Sequence, residues 1–313
     1  MGYHLIILCF LGCLITFLVL NLLYKQTNSY KNTIKNVQKF IDGVPNHLYL
    51  VNTGSTYARY AYDFSIFEGV GGFNFAIQPQ TLAYDYKILS QYKTHLEKGC
   101  VVLITLCLFS FCVDDYPDDS SNTKYYYFLN NKFINGYSSI KNFLRLNFPL
   151  TENLNLVKRI FFDVESENLD NDHNTIDNAI MTSNFRIENW CKEFGIPNMK
   201  SYFMNETLNK KMEISRGNLK RIITLCNTRG WKPVIVIPPV ANCMKQLICP
   251  EIIQRYLYDN LQDMSDSIIL DYFKRDTFDD YRLYCNCDFL NATGRSKFMT
   301  QLSEDLKRLK LLQ

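Results

Sequence analysis

The run Cys100 to Cys112, CVVLITLCLFSFC, constrains the fold of this chain more than any other segment: thirteen residues without a charge or a breaker. An apolar strand that does not alternate must be covered on both faces, which is the situation of a parallel strand inside an α/β sheet. Lys232-Pro-Val-Ile-Val-Ile-Pro-Pro239 reads as a second such strand, closing in a Pro-Pro turn. His47 to Val51 reads as a strand that leads into the turn Asn52-Thr-Gly-Ser55, Phe73 to Ile77 as a strand opened by Gly71-Gly72, and Ile268 to Tyr272 as a short one. Helical spacing of apolar residues predicts helices over Thr81 to Lys98, stopped at Gly99, and over Leu208 to Arg229, stopped at Gly230. Further helices are predicted over Glu251 to Asp263 and Thr293 to Leu312. Strands alternating with helices imply an α/β fold with a central parallel sheet and helices on both faces, a three-layer αβα sandwich. Asp114 to Asn135 reads as a polar, Tyr-rich loop, and residues from about 151 to 198 as an insertion with some helix.

The N-terminus makes a separate demand. Leu5 to Tyr24, LIILCFLGCLITFLVLNLLY, holds twenty residues without a charge. As a helix it is about 30 Å long, the thickness of a bilayer's hydrocarbon core. No Lys or Arg precedes it and Lys25-Gln26 follows, so it reads as an uncleaved anchor over residues 1–24 and not as a cleaved leader. Residues 25–44 then read as a linker helix and 45–313 as the body. Lys25, Lys31, Lys35 and Lys39 all follow the span, a pattern that by itself leaves the body in the cytoplasm.

Composition excludes more than it selects. Lys and Arg number 34 against 31 Asp and Glu, a net charge of +3 with no basic stripe, so no nucleic-acid footprint is expected. The eleven Cys contain no C-x-x-C pair and no nearby His, which predicts free, packed thiols and neither a zinc site nor a disulfide framework. Asp170-x-Asp172-x-Asn174 opens like a calcium loop, but Thr175 stands where Gly is required and Met181 where the bidentate Glu belongs. No phosphate-binding Gly-rich loop and no H-E-x-x-H occurs, so no nucleotide, metal or other cofactor is expected. Asn205-Glu-Thr207 and Asn291-Ala-Thr293 match the glycosylation sequon, and Tyr125 to Phe128 reads as core packing or a lipid-facing surface, with stacking on sugar rings as the alternative.

Sheets of this kind carry their chemistry at the carboxyl ends of the strands, and the first such turn holds Gly54-Ser55. With Phe73-Asn-Phe-Ala76 after the second strand, Lys232 to Val240 as the fourth, and Cys287-Asp-Phe-Leu-Asn-Ala-Thr-Gly294 before the last helix, the order of blocks resembles the SGNH (GDSL-like) hydrolase superfamily. The similarity covers most of residues 45 to 310. It is greatest to membrane-anchored members associated with bacterial surface-polysaccharide biosynthesis, and more distant to the D-alanyl-lipoteichoic acid biosynthesis proteins. The resemblance implies an esterase or O-acyltransferase acting on acylated cell-surface polysaccharide, with Ser55 as nucleophile and Gly54, Asn74, Asp288 and Asn291 as oxyanion or substrate contacts. It also implies a cell-envelope location with the body outside the cytoplasm, against the lysine pattern, and other envelope-biosynthesis proteins as partners.

The chain departs from that family at the general base. Phe289 stands at the usual His and Asn286 at the usual Asp of the last block. A base is worth about 10²–10⁴-fold in such chemistry. Of the four His, His4 lies in the span, His47 begins the first strand, about 20 Å from a serine at its far end, and His95 belongs to the opposite edge of the sheet. Only His173, in the insertion, remains as a candidate base. The competing expectation is an SGNH-like protein that has lost its chemistry and binds a glycan or supports a biosynthesis complex.

Overall fold

A computed structural model describes residues 2–67, 69–113, 119–151, 153–163, 174–264 and 267–312. In chain order the principal elements are α1 (Gly2–Gln26), α2 (Asn28–Ile41), β1 (Leu48–Thr53), α3 (Thr56–Ala61), β2 (Gly72–Asn74), α4 (Leu82–Gln91) and β3 (Leu96–Thr105). They continue with α5 (Ser139–Asn147), α6 (Ile176–Phe194), α7 (Glu206–Arg229), β4 (Lys232–Ile237), β5 (Ile268–Asp271) and α8 (Ala292–Arg308). Two compact units result: Met1–Gly43 with Pro117–Glu167, and Val44–Tyr116 with Asn168–Gln313. The segment read as an insertion at about 151–198 is divided between them, and its largest described element is the nineteen-residue α6.

The larger unit is α/β. Its five strands are all parallel, in the order β2-β1-β3-β4-β5. Leu50, Val101, Leu103, Val234, Val236 and Leu270 join one buried cluster with Phe298, Met299, Leu302 and Leu306 of α8. The intervening Val51, Val102, Ile104, Ile235 and Ile237 are buried as well. Both side-chain sets of the central strands are therefore out of water, which is why CVVLIT and PVIVI carry no alternation. α7 is capped by the Asn205 side chain, which accepts from the Leu208 N–H at 2.8 Å, and it ends at Gly230 in the left-handed region.

Three expectations need correction. The helix predicted over Thr81 to Lys98 ends at Gln91, because Leu96 already pairs with Leu48 in the sheet. Gly99 lies inside β3, and its N–H donates to the Gly230 carbonyl. β3 stops at Thr105, and Cys107 to Cys112 fold into turns. That stretch is apolar for another reason: Phe109 packs against Trp190 and Phe194, with ring centroids 4.7 and 4.8 Å away. Continuous apolarity reported burial, not strand length.

The smaller unit is built on α1, whose mean hydropathy reaches 2.8 over a membrane-length window. By length and composition this helix can cross a membrane. Asn21 interrupts the apolar run, and hydrocarbon offers its amide no partner. Here Asn21 Nδ2 donates to the Asn147 carbonyl at 3.0 Å, and its Oδ1 accepts from the Leu150 N–H at 3.3 Å. Tyr125 and Tyr126 are buried and Phe128 stacks on Phe40 at 4.0 Å, so this aromatic stretch packs mainly as core, as expected.

Gly294, in the first turn of α8, tests the tightest packing. A Cβ there would lie 1.9 Å from the Leu283 carbonyl oxygen, whereas a Cβ at the exposed Gly217 of α7 meets nothing within 4 Å. Gly294→Ala should destabilise the protein by at least about 2 kcal/mol. Gly217→Ala should stabilise it by about 0.5–1 kcal/mol, since Ala loses less backbone freedom in a helix. Thermal unfolding in detergent distinguishes the opposite signs, and equal shifts would refute the close approach at Gly294.

Candidate functional site

The strand order reverses between β1 and β3, with β2 to one side of β1 and β4 to the other side of β3. At such a reversal the two following loops diverge and leave a crevice at the carboxyl ends of the strands. A cavity of about 180 Å³ lies there, lined by Gly54 to Tyr57 after β1, by Thr105, Cys107, Phe109 and Ser110 at the end of β3 and beyond it, and by Asp288-Phe289. Arg186, Trp190 and Glu193 of α6 close it.

Ser55 and Asp288, 233 positions apart in the sequence, thus share one cavity. Ser55 occupies the N-cap position of α3, but its hydroxyl makes no capping bond. Instead Ser55 Oγ accepts from the Gln80 backbone N–H at 3.1 Å. That bond occupies one lone pair of the hydroxyl oxygen and leaves its proton free to be donated.

The expected oxyanion donors are committed elsewhere. Gly54 has φ +122°, and its N–H donates to Asp85 Oδ1 at 3.0 Å. Asn74 Nδ2 donates to the Ala58, Arg59 and Tyr62 carbonyls, while its Oδ1 accepts from Asn52 Nδ2 and the Ala76 N–H. Asn74 fastens β2 to α3 and does not line the cavity. Asn291 is fully buried as the N-cap of α8: its Oδ1 accepts from the Gly294 N–H at 2.9 Å, and its Nδ2 donates to the Arg282 carbonyl at 2.8 Å. It neither lines the cavity nor presents an accessible sequon. Asn74 lies at the end of β2 and Asn291 at the start of α8, and each satisfies backbone groups that its turn leaves unpaired.

Asp288 is the charged centre of the site. Its side chain is wholly buried, and Arg186 forks onto it, with Nε 2.9 Å from Oδ2 and an Nη 3.2 Å from Oδ1. The Tyr57 hydroxyl donates to Oδ2 at 2.8 Å. Burial pushes the Asp288 carboxyl up, against the pull of the Arg186 guanidinium and the Tyr57 hydroxyl. Burial also pushes the Tyr57 phenol well above its ordinary range, so it stays a donor. Phe289 fills the next position. Tyr57 meets its ring edge-on at 5.4 Å, and the Arg186 guanidinium lies over it at 4.9 Å. Asn286 Oδ1 accepts from the Asp288 and Phe289 N–H groups at 3.0 and 2.8 Å, shaping the loop that presents both.

A second buried carboxyl, Asp85 of α4, also lines the cavity. Burial pushes it up to about 7, opposed by hydrogen bonds from the Gln80 amide and the Gly54 N–H. Sequence reading did not single out Tyr57, Gln80, Asp85 or Arg186. Tyr57 lies two residues beyond Ser55 and was within reach of inspection, but Arg186 sits on a helix whose approach to this loop no local pattern encodes.

The candidate base His173 lies outside the described residues. His47 and His95 lie at the amino end of the strands, where His47 Nδ1 meets Glu97 at 2.6 Å and His95 Nδ1 meets the Pro45 carbonyl at 3.1 Å. Among the described residues no group of three or more His, Cys, Asp or Glu is arranged to hold a metal ion. All eleven Cys are free thiols, but only Cys100, Cys112, Cys226 and Cys287 are buried, and Cys9 and Cys13 are exposed.

Two measurements probe the buried carboxyls. Arg186→Met leaves Asp288 buried and unpaired, which should cost about 3–5 kcal/mol of stability. Adding Asp288→Asn should recover a large part of that loss, and strictly additive losses in a denaturation series would refute the pairing. For Asp85 the folded pKa exceeds the unfolded one, so its contribution to stability is complete below about pH 4 and is lost as pH rises through about 7. Both hydrogen bonds end on Oδ1, which an amide oxygen can replace. Asp85→Asn should therefore gain stability relative to the parent on going from pH 5 to pH 8, and a constant difference in Tm would contradict this assignment.

No known protein family matches the chain, and comparison with curated proteins finds no relative.

Proposed function

We propose that this chain is a membrane-anchored, SGNH-hydrolase-like protein with the three-layer αβα arrangement of that superfamily, acting on acylated cell-surface polysaccharide as an esterase or O-acyltransferase. The observation that carries the reading is Ser55 at the β1–β3 reversal, opening onto a cavity whose far wall is the Asp288-Phe289 loop. In such a step Ser55 Oγ bonds to the ester carbonyl carbon, the ester C–O bond breaks, and the glycan hydroxyl leaves with the serine proton. Water or a second hydroxyl then takes the acyl group from the serine. A cavity of about 180 Å³ suits a short acyl group. No metal or organic cofactor enters this scheme. α1 anchors the protein in the cell membrane, and the resemblance assigns the body to the outer side.

Phe289 supports the second reading, a glycan-binding or scaffolding protein with impaired chemistry. Its ring accepts no proton, and the buried Asp288 beside it is already held by Arg186 and Tyr57. A carboxylate so engaged is a weak base toward Ser55.

One experiment separates the two. A fluorophosphonate probe should label the parent slowly, Ser55→Ala not at all, and Phe289→His with Asn286→Asp at least about tenfold faster, as a restored base requires. Equal labelling of the parent and Ser55→Ala would remove Ser55 as nucleophile. Brisk hydrolysis of a simple acetyl ester by the parent, lost in Ser55→Ala, would instead reject the impaired reading.

A further inference from the structure

Beside α1 the smaller unit carries a row of apolar side chains left exposed among the described residues. Ile140 and Phe143 of α5 are 73% and 60% exposed, and Phe161 and Phe162 are 70% and 77% exposed. Ile140 and Phe143 are three residues apart, on one face of their helix. Exposed basic residues, Lys141, Lys158 and Arg159, flank them.

Two sets of contacts fix the height of these residues along α1. The Phe148 ring lies 6.2 Å from Phe17 and 6.1 Å from Phe143, and Asn21 bonds the backbone at Asn147 and Leu150. Phe17 is eight residues before Lys25, the first charge after the span, and Asn21 is four before it. At about 1.5 Å per residue they lie about 12 and 6 Å inside the level of Lys25. The second set is at the other side of that level: Asp163, next to Phe162, accepts from the Asn28 and Ser29 N–H groups at 2.6 and 3.2 Å.

We infer that Ile140, Phe143, Phe161 and Phe162 form a collar that enters the interfacial layer of the same bilayer that α1 crosses. The inference rests on the reading of α1 as a transmembrane anchor. Leu5 to Tyr24 is only long enough to span if all of it is used, so side chains packed at the level of Phe17 and Asn21 lie within the membrane boundary. The composition fits that layer: aromatic and aliphatic side chains embed at the acyl–headgroup boundary, and flanking Lys and Arg meet anionic headgroups. The same contacts explain how the Asn147 to Leu150 backbone sits beside a lipid-facing helix, since Asn21 satisfies one of its carbonyls and one of its N–H groups.

The test uses the full chain, reconstituted in vesicles of mixed zwitterionic and anionic phospholipid carrying bromine on the acyl chains. Phe143→Trp and Phe162→Trp are exposed, conservative replacements, and Leu11→Trp reports on the anchor itself. Trp190 and Trp231 of the parent set the background. The added fluorescence at 143 and 162 should lose most of its intensity to bromines placed high on the chain, and that at 11 to bromines placed deep. Quenching at 11 without quenching at 143 and 162 overturns the collar and leaves the anchor standing. Blue-shifted, unquenched emission at 143 and 162 also overturns it, because a second copy or another protein then covers the patch. No quenching at 11 overturns the anchor and the collar together.

Discussion

The parallel pairing of β1 with β3, and the reversal of strand order at that pair, is the constraint on which the rest of the larger unit depends. Residues Leu50 to Thr53 run in register with Val101 to Ile104, so two loops leave the sheet at the same level and turn apart. The opening between them is a consequence of chain direction and owes nothing to the side chains that line it. Gly54 makes the turn possible. A Cβ at that position would stand 3.0 Å from Ala58 Cβ and Thr105 Cβ, and the φ of +122° is one that other residues avoid.

The crevice is then fixed by a buried charge. Asp288 lies on the last loop, Tyr57 on the first and Arg186 on α6, and the three meet through hydrogen bonds of 2.8 to 3.2 Å. A wholly buried carboxylate tolerates few positions, because each lost partner leaves charge unsatisfied in a poor dielectric. The trio therefore ties the serine turn to the loop that carries Phe289. It also leaves both Asp288 oxygens engaged, Oδ2 by Tyr57 and Arg186 and Oδ1 by Arg186.

Much of the fold was legible in the residues. The uncharged runs of β3 and β4 announce strands covered on both faces, and helical spacing with Gly230 as terminator locates α7 within two residues. The site was less legible. Ser55 and Asp288 were nominated and do line one cavity, yet Asn74 and Asn291 were nominated on the same kind of reasoning and are bound to backbone groups. An Asn near a strand or helix end looks alike in sequence whether it faces a ligand or caps a turn, because both uses select the same amide.

By itself the sequence determined the class of the fold and the apolar N-terminal helix, since both follow from periodicity and uninterrupted hydrophobicity, which are properties of neighbouring residues. Tertiary structure alone decided that β3 ends at Thr105 and that Phe109 belongs to an aromatic cluster with Trp190 and Phe194. It alone brought Arg186 to Asp288 across 102 positions of chain, and Asn21 to Leu150 across 129. Such pairs are set by how whole elements pack, and a buried polar group finds its partner only after the apolar faces around it have closed.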